Sequence, residues 1–204
     1  MNMDNTLVRS NQIIETELRE LRDLAAKVEK TTSILSKAAN RLLYCFEQNK
    51  KVLCAGNGGS AAQAMHFVEE LLGKFKEKRR PLGALSLVSD STTLSCIAND
   101  FGFEEVFSRQ IEAMGKAGDL LILFSTSGNS RNLLRAAQAA KSLKIFSIAF
   151  LGKGGGKLAD LVDLAWIVPS DNTSRIQEMH CWAAHVLLEI VEEWESSRKE
   201  IKAV

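Results

Sequence analysis

Proline is almost missing: two residues in 204, Pro81 and Pro169. Residues 1–80 and 170–204 contain none, so long uninterrupted helices are possible at both ends. Cysteine is sparse and scattered. Cys45, Cys54, Cys96 and Cys181 form no C-x-x-C pair, which argues against a disulfide framework or a cysteine-based zinc site. Neither charge sign dominates. Lys plus Arg is 26 and Asp plus Glu is 25, a net charge of +1. The basic footprint of a nucleic-acid binder is absent, and no direct contact with nucleic acid is expected. No apolar run approaches the roughly 20 residues needed to span a membrane. The opening segment MNMDNTLVRSNQIIETELRELRD is polar and carries acids, unlike a signal peptide, so the expected compartment is a reducing cytoplasm. Histidine is also scarce: His66, His180 and His185 are all there are.

What is present is ordinary for a globular chain, with 46% hydrophobic and 25% charged residues. The length predicts one domain over 1–204. Leu7, Ile13, Ile14, Leu18, Leu21, Leu24 and Val28 recur at helical spacing, and Leu35, Ala38, Leu42, Leu43 and Phe46 continue the pattern. These predict a helical N-terminal region over about 6–48, suited to building an oligomer. The rhythm then changes. KVLCA (51–55), ALSLV (84–88), DLLILFS (119–125), KIFSIAF (144–150) and DLAWIVP (163–169) are short apolar runs separated by helical stretches. Runs apolar on both faces, alternating with helices, predict an α/β fold: a doubly wound, parallel five-stranded sheet of flavodoxin-like type. A last helix is expected from Thr173 to Arg198, with Trp182 and Trp194 beside an apolar stripe. KFKEKRR (74–80) reads as a solvated loop, and GKGGGK (152–157) as a flexible turn.

Two strand-to-helix turns resemble each other: VLCAGNGGSAAQAM (52–65) and LILFSTSGNSRNLL (121–134). Small residues let a ligand approach the backbone, and a helix start offers unpaired N–H groups at the positive end of its dipole. Asn57, Gly58, Gly59 and Ser60 line the first turn. Ser125, Thr126, Ser127 and Ser130 line the second and could converge on one phosphate. The alternative is that both are simply capped helix starts. Neither turn has the Walker pattern or G-x-G-x-x-G, which disfavours a nucleoside triphosphatase or a nicotinamide dehydrogenase.

GNGGSAAQAMHFVEEL (56–71), ANDFGF (98–103), STSGNS (125–130) and RIQEMH (175–180), in that order, resemble the sugar isomerase (SIS) domain family, and within it the phosphoheptose isomerases. The resemblance runs from about Ala38 to Glu192. It implies conversion of sedoheptulose 7-phosphate to glycero-manno-heptose 7-phosphate, in a homotetramer with active sites between protomers. It also implies zinc held by His66, Glu70, Gln177 and His185, with Asn99 and Asp100 in the substrate site. From the residues alone, His66 and Glu70 are four apart on one helical face, which suits either a metal or a solvent-facing pair. Gln177 and His185 are eight apart, about 12 Å along a straight helix, so reaching one ion requires that they lean together or come from different protomers. Aldose–ketose isomerisation passes through an enediol. Glu70 is the nominated carbon base and His185 the group that moves the oxygen-bound proton. His180 either supports this site or packs the helix.

Two positions depart from the family pattern. Gln63 stands where an Asp is usual, and Gln cannot act as a base. Lys74 stands where Arg is usual, keeping the charge and losing the bidentate fork. The second functional reading is a non-catalytic phosphosugar-binding SIS protein acting as an adaptor of the replication initiator. A relative of that kind lacks the Glu and the His that this chain retains as Glu70 and His185.

Overall fold

The computed structural model describes the backbone of residues 3–202 and the side chains of residues 9–198; the side chain of Leu7 lies outside the described residues. Five strands form one sheet: β1 (Val52–Gly56), β2 (Ala84–Ser86), β3 (Leu120–Ser125), β4 (Phe146–Leu151) and β5 (Leu164–Ile167). Their spatial order is β2-β1-β3-β4-β5, and every neighbouring pair is parallel. All five expected strands are present, each within a few residues of its apolar run. β1 and β3 are buried at every position, which is why their sequences show no polar alternation.

Alternate residues of each strand feed two cores. Val52, Cys54, Ile122, Phe124, Phe150 and Trp166 face α2 (Thr32–Glu47), α3 (Gly59–Leu72) and α7 (Thr173–Lys202). Leu53, Ala55, Leu121, Leu123 and Ala149 face the other way, toward α4 (Ser91–Phe101), α5 (Ser108–Met114) and α6 (Arg131–Ser142). The result is three layers, helix–sheet–helix. Full burial of each large apolar side chain in these cores stabilises the fold by about 1.5–3 kcal/mol before the entropy of ordering is counted.

α1 (Met3–Val28) docks by its C-terminal end, where Leu24 and Val28 are buried. Arg175 ties α1 to α7, pairing with Glu17 Oε2 at 2.9 Å and Glu178 Oε1 at 2.6 Å. The outer part of the α1 stripe stays uncovered: Ile13, Ile14 and Leu18 are all more than half exposed. Asn172 caps α7, its side-chain oxygen accepting from the Ser174 N–H at 3.0 Å.

The chain leaves β1 toward β2 on one side and reappears in β3 on the other. At such a reversal the following helices cover opposite faces and open a crevice at the C-terminal ends of the strands. Here α3 lies on one face and α6 on the other, so the turns after β1 and β3 stand side by side at the crevice mouth.

Candidate active site

The two Ser/Gly turns meet as their likeness suggests. Asn57 and Asn132 exchange two side-chain amide hydrogen bonds, each 2.9 Å, that join the first turn to the start of α6. Asn57, Ser60, Ser125, Thr126, Ser127 and Ser130 line one cavity of about 80 Å³, closed below by Phe124 and Leu133. Ser130 precedes α6 without using its hydroxyl as a cap, which leaves that hydroxyl available to a ligand. The positive end of the α6 dipole points the same way.

GKGGGK is not a loose turn: it packs beneath the second Ser/Gly turn. Gly128 has φ +63°, and a Cβ there would sit 1.8 Å from the Gly155 carbonyl oxygen. The Leu158 N–H donates to Gly128 O at 2.9 Å and the Lys157 N–H to Asn129 Oδ1 at 3.1 Å. Glycines here let two backbones touch, and that contact shapes the cavity wall. Gly58 and Gly59 do not line the cavity. Gly58 supplies a positive φ of 54° at the start of α3. Gly59 leaves room for the Gln177 amide, whose Nε2 lies 2.5 Å from where a Cβ would be.

The second cluster lies farther along α3, where that helix packs against α7. His66 Nε2 and His185 Nε2 are 3.2 Å apart, and His66 Nε2 is 3.8 Å from Glu70 Oε1. The mutually close donor group is His66, Glu69 and Glu70, with ligand atoms within 4.8 Å of one another; among the described residues His185 touches it through His66 alone. The H-x-x-E-E spacing on one helix face carried that signal in the sequence. The Phe75 ring stacks on the His185 ring at 5.4 Å and 27°, and Cys181 Sγ is 3.9 Å from His185 Nε2. Neither contact has a sequence signature, because both pair residues by tertiary packing or by an unremarkable i, i+4 step.

Gln177 stands at the other end of the α3–α7 groove, against Gly59. His66 lies seven residues beyond Gly59, about 10 Å along the helix. Gln63 sits between them. Its Nε2 donates to Gln177 O at 2.6 Å, while its Oε1 is buried with no hydrogen-bond partner among the described residues. Asn99 and Asp100 lie elsewhere in the chain. Asn99 Nδ2 donates to Asp100 Oδ1 at 2.7 Å, and the two line a separate open cavity with Ser91, Thr92, Ser95 and Cys96. Lys74 is exposed, and its Nζ donates to the Lys76 carbonyl at 3.5 Å.

His180 is a core residue. It is fully buried among Phe124, Phe150 and Trp166, with Nε2 3.1 Å from Leu151 O. Burial pulls its pKa down from 6.5 to about 4, so it stays neutral.

A crevice at the sheet's reversal is lined with hydroxyls and a helix N-terminus, and helix α3, which brings Ser60 to it, carries a His/Glu donor cluster. The SIS domain model matches residues 18–152. A phosphoheptose isomerase of Campylobacter jejuni is 45% identical over 181 residues, covering 89% of this chain and 97% of that relative. One of Helicobacter pylori is 46% identical over 169 residues, covering 83% and 88%. The solved phosphoheptose isomerase of Neisseria gonorrhoeae superposes with a TM-score of 0.85 at 36% identity, over 90% of this chain and 98% of that one. The chain belongs to the SIS domain family and, within it, to the phosphoheptose isomerases.

Proposed function

We propose that this protein interconverts D-sedoheptulose 7-phosphate and D-glycero-D-manno-heptose 7-phosphate, in the synthesis of bacterial heptose for lipopolysaccharide or another glycoconjugate. One observation supports the reading: His66 faces His185 across the α3–α7 groove and lies beside Glu70, and the same helix α3 carries Ser60 into the hydroxyl-lined cavity. Ser60 in that cavity and His66 are six residues apart on α3, about 9 Å along the helix axis. That separation suits a seven-carbon sugar with phosphate at one end and carbonyl at the other.

In this reading Ser125, Thr126, Ser127 and Ser130, with Asn57 and Ser60, hold the phosphate. Glu70 takes a proton from C1 of the ketose, leaving a C1–C2 enediol, and returns it to C2. His185 carries the accompanying proton between O1 and O2, so the sugar is isomerised with no net gain or loss. Gln63 is neutral and takes no part in proton transfer; its amide anchors the carbonyl of Gln177.

The donor set fits a zinc ion. Two imidazole nitrogens 3.2 Å apart, with a carboxylate oxygen at 3.8 Å, approach the roughly 3.3 Å edge of a tetrahedral nitrogen/oxygen site. His66, Glu70 and His185 would hold zinc, with Glu70 alternating between ligand and base and His185 using one ring nitrogen for the ion and the other for the proton. Gln177, held against Gly59, would join from a neighbouring protomer. Bound zinc would supply Lewis-acid polarisation of the sugar carbonyl. The uncovered stripe of Ile13, Ile14 and Leu18 supports a homo-oligomer, which we take to be a tetramer. In such an assembly Asn99 and Asp100 could meet a neighbour's groove. No described helix is long and apolar enough to cross a membrane; the cytoplasm is the proposed compartment.

The test is turnover of sedoheptulose 7-phosphate by the purified protein, with zinc and then with chelator. Zinc-dependent turnover is expected. Phosphosugar binding without turnover would move the assignment to the adaptor reading, which nothing in the comparisons supports.

A further inference from the structure

Five of the seven residues of KFKEKRR are exposed, as a solvated loop predicts, but Phe75 and Arg79 turn inward. Arg79 and Glu192 are 3% and 8% exposed in their side chains, and they face each other at 3.7 Å between Arg79 Nε and Glu192 Oε1. Glu192 is the hub. Its Oε1 accepts from the Phe75 and Lys76 N–H groups at 2.9 and 3.1 Å, and its Oε2 from those of Lys76 and Glu77 at 3.0 and 3.2 Å. Arg79 extends the grip to α3: Nη1 donates to Leu71 O at 2.9 Å and Nη2 to Glu70 O.

This arrangement reaches the site at two points. Phe75, whose N–H Glu192 holds, lays its ring on His185. The carbonyl that Arg79 holds belongs to Glu70. Burying two opposite charges is costly and gives little net stability on its own. What the pair provides here is a fixed distance between the end of α3 that carries Glu70 and the face of α7 that carries His185. Gln63 ties the same two helices at the opposite end of the groove.

From this we infer that Arg79 and Glu192 are a positioning pair for the site, acting on His185 through Phe75 and on Glu70 through its backbone carbonyl. The inference rests on the isomerase reading for its catalytic consequence, but its geometric content stands apart. A built-in control exists. Glu195 is also buried on α7 and grips the same loop, through a bidentate pair with Arg80 at 2.7 to 3.1 Å, but it touches neither Phe75 nor the Glu70 carbonyl.

The experiment compares Glu192→Gln, Glu195→Gln and Phe75→Leu in the intact protein. The first readout is the His185 ring-proton chemical shift by NMR, which senses the Phe75 ring current and requires neither metal nor turnover. Glu192→Gln and Phe75→Leu should both displace it, while Glu195→Gln leaves it in place. The second readout is kinetic. Glu192→Gln should lower kcat by about tenfold or more with KM within about twofold, because the phosphate turn is remote from the loop. Glu195→Gln should lower the melting temperature with kcat kept. An unmoved His185 signal in Glu192→Gln, or equal kcat losses in Glu192→Gln and Glu195→Gln, overturns the proposal. An inactive wild-type protein overturns the isomerase reading instead, and the NMR comparison still decides the clamp.

Discussion

His66 and His185 present their Nε2 atoms to each other at 3.2 Å across the groove between α3 and α7. That contact joins α3 to α7 side chain to side chain, between residues 119 positions apart in the sequence. The Glu70 carboxylate lies 3.8 Å from the same His66 nitrogen, and zinc binding at this set is the proposal tested next.

Metal content reads this directly. Protein purified with zinc should carry about one ion per chain, and His66→Ala combined with His185→Ala should carry almost none by elemental analysis. Full occupancy in the double variant would remove the proposed ligand pair.

Glu70→Gln keeps the size of the side chain and removes its basicity. Turnover of sedoheptulose 7-phosphate should fall about 10²–10⁴-fold with the circular dichroism spectrum unchanged. Undiminished activity would assign the carbon base elsewhere.

Ser127→Ala and Ser130→Ala take hydroxyls from the cavity that both turns line. Each should weaken binding of phosphorylated sugar by about 1 kcal/mol, or roughly fivefold, and leave free sugar unaffected. Equal losses for both ligands, measured by calorimetry, would argue against a phosphate at this position.

His180 predicts a pH dependence of stability. Its folded pKa of about 4 lies below the ordinary 6.5 because burial disfavours the charged ring. Between those values the unfolded chain binds a proton that the folded chain refuses, so stability falls as pH drops from 6.5 toward 4. The full contribution is roughly 3 kcal/mol, complete above pH 6.5. Urea unfolding at pH 7.5 and 5 should show the loss, and His180→Asn should flatten that slope. An unchanged slope would place the titration on other groups.

By itself the amino-acid sequence determined the alternation of apolar strands with helices, because strands covered on both faces are built mostly from apolar residues, with only an occasional buried serine. It also determined the two Ser/Gly turns, because close backbone approach such as that of Gly128 to Gly155 admits no larger residue. The i, i+4 step from His66 to Glu70 was legible for the same local reason. Long-range packing alone decided the rest. It set His185 against His66, separated Gln177 from them by the length of the groove, and left Asn99 and Asp100 in a cavity of their own. It also buried Arg79 and Glu192, which in the sequence look like members of a solvated charge run and of an ordinary polar helix face. Local spacing reports which side of one element a residue occupies. Only the docking of α7 on α3 decides what that side meets, and here that docking brings His185 of one helix against His66 of the other.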